Sequence, residues 1–161
     1  MFLLKLLPAP LHRLLYRLAH FARRQVWKVR HPTVHGVRVL ALDGQGRILL
    51  VRHSYGSNKW MPPGGGLKSG EDPVQAATRE LAEETGCTLH SARLVAVIGE
   101  YLHGASNRVH VVVGCTNDIA EPDGREIVEA ALFDVDSLPP AMPAGLGQGI
   151  AEWLAAYKND N

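Results

Sequence analysis

The sequence predicts an α/β fold, with strands and helices packed in layers. Two observations carry this. Runs of β-branched and aliphatic residues at strand spacing alternate along the chain with stretches of helical period, instead of each type gathering in its own half. The 161 residues, 46% hydrophobic and 20% charged, suffice for one globular core and leave no room for a second full domain.

The elements follow in order. Leu11, Leu14, Leu15, Leu18, Phe21 and Ala22 recur at helical spacing between Pro10 and about Gln25, with Arg13, Arg17, Arg23 and Arg24 largely off that stripe. This predicts an amphipathic helix that packs on the domain or on a second subunit, with an anionic membrane surface or nucleic acid as the other partners. From Thr33 the pattern turns strand-like, through Val34, Val37, Val39, Leu40 and Leu42. The turn Asp43-Gly44-Gln45-Gly46 then leads to Ile48, Leu49, Leu50 and Val51, which makes a hairpin. A polar loop from Tyr55 to Lys59 and the run Trp60-Met61-Pro62-Pro63-Gly64-Gly65-Gly66 precede a helix opened by Glu71, Asp72 and Pro73, which suit its positive end and first turn. That helix runs to about Thr85, where Gly86 fits the left-handed position that ends helices. Val74, Thr78, Leu81 and Thr85 form its expected buried face. Strands are predicted over Leu94 to Tyr101, Arg108 to Cys115 and about Glu129 to Val135. His103 to Asn107 is read as the first connection between them, Thr116 to Glu126 as a polar loop with turn signals at Pro122 and Asp123-Gly124, and Pro139 to Gly149 as a flexible linker. A last helix from about Gln148 buries Ile150, Trp153, Leu154 and Tyr157.

A formal charge of +1 hides an asymmetry. Residues 1–31 carry seven basic side chains (Lys5, Arg13, Arg17, Arg23, Arg24, Lys28, Arg30) and no acid, while the remainder carries 10 basic and 16 acidic, a net −6. The chain therefore divides into a basic helical arm, 1–31, and an acidic domain, 32–161. Phe2 to Leu7 is interrupted by Lys5 and stopped by Pro8, which argues against both a membrane span and a signal peptide. Cys87 and Cys115 have no CxxC spacing and read as reduced thiols of a cytoplasmic protein.

The chemistry sits between Gly65 and Cys87. Gly65 is followed after five residues by Glu71 and, after seven more, by Arg79-Glu80-Leu81-Ala82-Glu83-Glu84-Thr85-Gly86-Cys87. At about 100° per residue, Glu80, Glu83 and Glu84 project from one helix face within roughly a 100° arc. Like charges so placed repel one another. A divalent cation would neutralise them, and an all-oxygen donor set points to Mg²⁺ or Mn²⁺ rather than zinc. A solvated acidic face is the plainer reading of any glutamate triplet. Here Arg79, able to pair with Glu83, and the glycines at 64, 65 and 66 favour a site.

This segment resembles the Nudix box of the Nudix hydrolases, with each fixed Gly, Glu and Arg present and Cys87 standing where the family usually has an aliphatic residue. The resemblance, over about residues 33–158, implies an α/β/α sandwich with a mixed sheet between helices. It implies a metal-dependent pyrophosphohydrolase that cleaves a nucleoside diphosphate linked to another group, with Glu80, Glu83 and Glu84 holding the metal and the Gly64 carbonyl as a further ligand. Gly65, Glu71, Arg79 and Gly86 are then structural or orienting residues. The general base is Glu80 or a carboxylate of the later loop, Glu126 or Glu129. Arg52, Lys59 and Arg108 are candidates for phosphate, and Trp60 and Tyr101 for base stacking, although core packing is the commoner use of either ring. The eight histidines show no metal-ligand spacing. Two alternatives are an isopentenyl isomerase of the same family and a nucleotide-sensing module without hydrolysis, against which the intact glutamates argue.

Overall fold

The computed structural model describes residues 10, 11, 14, 15, 18, 19, 21, 22, 33–102 and 105–159, with backbone alone at 101, 102 and 105. Within 33–159 the strands are β1 (Thr33–Leu42), β2 (Ile48–His53), β3 (His90–Leu102), β4 (Ala105–Cys115) and β5 (Ile127–Phe133). Helix α1 (Pro73–Thr85) follows β2, and helix α2 (Leu146–Asn159) follows β5.

The strands form one sheet in the order β3-β4-β1-β2-β5. β1 and β4 run parallel from Thr33↔Ser106 to Leu42↔Cys115, and the other pairs are antiparallel. The sheet is thus mixed, as expected. Successive side chains of a strand point to opposite faces, and the central strands carry continuous apolar runs at Val39–Leu42, Ile48–Val51 and Val111–Val113, so both faces must be covered there. Leu40, Ile48, Leu50, Val111 and Val113 face α2, where they meet Leu146, Ile150 and Leu154. Their neighbours Val39, Ala41, Leu49 and Val112 face α1, against Ala77 and Leu81. Truncating the fully buried Leu81 to Ala would cost about 2–5 kcal/mol.

Helix α1 begins and ends where the sequence places it. The Asp72 carboxylate accepts from the Val74 and Gln75 amides, and Pro73 occupies the first turn. Gly86, at φ 72°, donates its N–H to the Ala82 carbonyl. The buried face differs from expectation: Ala76 and Ala77 join Leu81 and Thr85 in the interior, while Val74 and Thr78 are only half-buried. The small alanines let the helix lie close on the sheet.

Other boundaries move for reasons of pairing. β3 starts at His90 and β4 at Ala105, because their ribbon stays paired to Leu102↔Ala105. Residues 105–107 of the expected connection are therefore strand, and His103 and Gly104 lie outside the described residues. β5 starts at Ile127, opposite His53, and ends at Phe133. The linker ending at Gly149 is overturned: α2 starts at Leu146 and takes in both Gly147 and Gly149. Gly149 is in the helix for a packing reason, since a Cβ there would come within 2.9 Å of the Trp153 ring.

Of the N-terminal arm, Leu11, Leu14, Leu15, Leu18 and Phe21 are helical, as predicted. They remain 39–62% exposed. All seven basic residues of the arm lie outside the described residues. Among the described residues no helix is long and apolar enough to cross a membrane.

Candidate active site

β1 and β2 pair only at Leu42↔Ile48 and then part. The segment from Met61 to Leu67 fills the gap, bridging to Val51 on one side and to Gly36 on the other. Val37 and Val39 donate their amides to the carbonyls of Gly65 (2.9 Å) and Pro63 (2.8 Å), and the Leu67 amide donates to the His35 carbonyl (2.9 Å). These bonds satisfy strand groups that would otherwise be buried unpaired. They also explain two of the glycines. A Cβ on Gly64, whose φ is 154°, would lie 2.2 Å from the Val37 carbonyl oxygen, and one on Gly65 would lie 2.5 Å from the Glu80 carboxyl.

The loop thereby sits directly on the glutamate face of α1. The Gly64 amide donates to Glu84 Oε2 at 3.1 Å, and Glu84 is only 4% exposed. Glu80 lies beneath Gly65 and accepts from Arg79 Nη1 at 2.7 Å. Glu83 faces outward, 59% exposed, and its contact with Arg79 is a looser 3.6 Å. Arg79 is committed mainly to Glu71, which also accepts from the Lys68 amide, so Glu71 ties the loop before α1 to the helix itself.

On the other side of Glu84 stands a group that sequence spacing did not reveal. His53 Nε2, at the end of β2, is 3.4 Å from Glu84 Oε1. Glu126, just before β5, accepts from the Tyr55 hydroxyl at 2.5 Å. One ligand atom from each of His53, Glu84 and Glu126 lies within 4.8 Å of the others. The histidines show no metal-ligand spacing along the chain, and it is β2–β5 pairing that brings His53 here. The only signal in the sequence was that His53 ends the strand that enters the glycine loop.

Charge is held in this site at some cost. Burial raises the pKa of Glu84, opposed by His53 and the Gly64 amide, with Glu126 adding to the rise. Burial also raises Glu80, opposed by Arg79 and reinforced by Glu83 and Glu126. Glu126 is thus felt by both helix glutamates. For His53, burial works against the charged form, yet the hydrogen bond and charge of Glu84, then Glu126 and Asp123, raise its pKa. Hydrogen bonding from Arg79 first, and then from the Lys68 amide, lowers Glu71 to about 2.

A divalent cation fits these donors. An octahedral ion with ligands at about 2.1 Å sets neighbouring donors about 3 Å apart and opposed ones about 4.2 Å apart. His53 Nε2 and Glu84 Oε1 are 3.4 Å apart, and the ligand atoms of His53, Glu84 and Glu126 all lie within 4.8 Å of one another. Glu84, the buried carboxylate of the group, and the half-buried Glu80 both have burial acting against their charged forms, and a cation would favour those forms.

The remaining candidates separate. Arg52 is engaged by Glu129 (2.7 Å) and Asn58 (3.2 Å), which leaves Glu129 as an ion-pair partner and Glu126 as the loop carboxylate at the site. Trp60 is in the core, its ring edge-on to Phe133 with centroids 4.9 Å apart, the packing use of the ring rather than the stacking one. The Tyr101 side chain lies outside the described residues, and its backbone pairs with Ser106. Lys59 and Arg108 are exposed, and no described contact joins them to the glutamates. Trp153, with the Arg38 guanidinium carbon 5.5 Å from its ring centroid, lines with Arg38 and Glu100 a cavity of about 290 Å³ between β3 and α2. A larger cavity, about 420 Å³ between Asp43–Arg47 and Thr116–Ala120, is lined by none of the site glutamates.

A family model for the NUDIX domain matches residues 32–157. The Bacillus subtilis protein YjhB, named as a candidate ADP-ribose pyrophosphatase, is 31% identical over 108 residues, which cover 64% of this chain and 51% of that protein. An RNA pyrophosphohydrolase of Teredinibacter turnerae is 38% identical over 66 residues, covering 41% of this chain and 39% of that protein. The chain thus spans about half the length, or less, of these relatives. In fold it is similar to a MutT protein of Methanosarcina mazei, with a TM-score of 0.68 at 21% identity over 80% of this chain and 98% of the other. A UDP-X diphosphatase structure matches with a TM-score of 0.67 at 24% identity, over 86% and 72% of the two chains. With the matched model covering all five strands and most of α2, and with the glutamate helix seated under the glycine loop, the chain belongs to the Nudix hydrolase family.

Proposed function

We propose that the chain is a divalent-metal-dependent pyrophosphohydrolase acting on a nucleoside diphosphate linked to a further group. The observation that carries this is the convergence of Glu84, Glu126 and His53 beside Glu80, directly under the Gly64–Gly65 backbone. Pyrophosphate cleavage is also the element common to the names of the RNA pyrophosphohydrolase and UDP-X diphosphatase relatives.

Glu84 and Glu126, with Glu83 and the Gly64 carbonyl, would hold the metal, Mg²⁺ or Mn²⁺. Bound there, the cation would neutralise the diphosphate oxygens and acidify a water molecule. Glu80 takes the proton of the attacking water: burial raises its pKa toward the working range of a base, and Arg79 fixes its orientation. Water oxygen then bonds to one phosphorus as the bridging oxygen leaves with its electron pair on the other phosphate. The rigid loop and capped helix supply position rather than covalent chemistry.

The free thiols of Cys87 and Cys115 fit a reducing, cytoplasmic compartment. The exposed stripe of the arm is proposed as the contact for a second copy or for an anionic lipid surface, outside the hydrolytic site.

The test is a panel of nucleoside triphosphates, ADP-ribose, sugar nucleotides, dinucleoside polyphosphates and capped RNA, with Mg²⁺ and with Mn²⁺. Hydrolysis of at least one, abolished by EDTA and restored by the cation, is the expected result. Tight nucleotide binding without turnover would favour the sensing module instead, and activity surviving exhaustive chelation would overturn the metal-dependent mechanism.

A further inference from the structure

We infer that His53 is itself a metal ligand of this site, making the donor set mixed nitrogen and oxygen and shifting its preference from Mg²⁺ toward a first-row transition cation such as Mn²⁺. The inference rests on the hydrolytic reading above.

His53 is aimed by the sheet. The β2–β5 register shifts between Arg52 and His53, an irregularity of the kind that re-aims a side chain at the end of a strand. The Ser54 amide donates to the Glu126 carbonyl at 2.8 Å, which clamps the segment carrying His53 to the one carrying Glu126. Tyr55 then orders both side chains at once. Its ring stands edge-on to the imidazole with centroids 5.3 Å apart, while its hydroxyl donates to Glu126. The two donors that α1 does not supply are therefore held in place together, opposite Glu84.

The geometry suits coordination better than a simple ion pair. At 3.4 Å, His53 Nε2 and Glu84 Oε1 are longer than a charge-assisted hydrogen bond of about 2.7–2.9 Å, yet near the spacing of adjacent ligands on one ion. The side chains are 13% and 5% exposed, so an ion there would be largely shielded from solvent. Mg²⁺ prefers oxygen and retains several waters, whereas an imidazole nitrogen strengthens binding of transition-metal ions.

The test is pulsed electron paramagnetic resonance of Mn²⁺ bound to the full chain, with Mn²⁺ and Mg²⁺ affinities measured in parallel. Wild type is expected to show ¹⁴N modulation of the Mn²⁺ signal, and His53→Gln to lose it. In that variant Mn²⁺ affinity should fall at least about tenfold while Mg²⁺ affinity changes less than about threefold, since only the nitrogen contribution is removed. Bound Mn²⁺ without nitrogen coupling in wild type overturns the inference whatever the variant does. Coupling that persists in His53→Gln, or in His53→Asn should the first variant not fold, overturns it as well. Mg²⁺-dependent hydrolysis by a protein whose Mn²⁺ spectrum lacks nitrogen leaves the proposed function standing and removes only this ligand. Failure of Mn²⁺ to bind, with no hydrolysis under any cation, overturns both.

Discussion

Arg79 grips Glu71 with two parallel bonds, Nε to Oε1 at 2.8 Å and Nη2 to Oε2 at 3.0 Å, and spends its remaining nitrogen on Glu80 at 2.7 Å. One guanidinium thus joins the loop before α1 to the carboxylate beneath the glycine loop. Such a two-point grip fixes angle as well as distance, which a lysine could not reproduce.

The first prediction is a pH signature of that pair. In the folded chain Glu71 has its pKa lowered from 4.5 to about 2, so its contribution to stability is complete above pH 4.5 and is lost as pH falls toward 2. Glu71→Gln should therefore be less stable than wild type at pH 7, with the difference closing across that window in denaturant titrations. A gap that stayed constant down to pH 2 would show that the lost stability is not electrostatic.

Glu84→Gln should abolish cation-induced stabilisation. A ligand at about 100 times its Kd contributes about 2.7 kcal/mol, or a Tm rise of about 5–10 °C for a domain of this size. Wild type should gain this on addition of Mn²⁺ and the variant should not, with kcat lower by at least about 100-fold because several kcal/mol of charge stabilisation are lost. Equal Tm shifts in calorimetry would remove Glu84 from the metal site.

The two loop glycines should fail differently. A Cβ on Gly64 meets backbone, the Val37 carbonyl, whereas one on Gly65 meets the movable end of Glu80. Gly64→Ala should cost at least about 2 kcal/mol of folding stability. Gly65→Ala should keep most of its stability but lose activity by displacing the carboxylate. Thermal melts alongside turnover separate the two, and equal stability losses would contradict the distinction.

Among loop acids, Glu126→Gln is expected to depress kcat more than KM, since Glu126 lies with the site donors. Glu121, exposed and joined to Thr85 only through its backbone amide among the described bonds, should tolerate the same change. Small, equal effects would return Glu126 to the solvated acids.

Deletion of residues 1–30 should leave Tm nearly unchanged and kcat within about threefold, which is under roughly 1 kcal/mol of barrier, because Leu11, Leu14, Leu15, Leu18 and Phe21 are exposed. What should change is association. Light scattering reads a loss of dimer, and co-sedimentation with anionic vesicles at low and high salt reads a lipid contact. A large fall in Tm would instead assign the arm to the domain core.

What the sequence determined by itself is local. The spacing of Glu80, Glu83 and Glu84 decides which face of α1 is acidic because a helix repeats every few residues, and Asp72, Pro73 and Gly86 bound that helix through short-range hydrogen bonds and a left-handed turn. The layered fold was equally legible, since the continuous apolar runs Val39–Leu42 and Ile48–Val51 put apolar residues on both sheet faces. Tertiary structure alone decided which carboxylate is deep and which is exposed: Glu84 is buried and Glu83 open because the Gly64 amide and His53 close over only one of them. It also decided that Trp60 fills the core while Trp153 borders a cavity. His53, Tyr55 and Glu126 meet through strand pairing between β2 and β5, a long-range register that follows from packing the whole sheet and leaves no periodic trace in the chain.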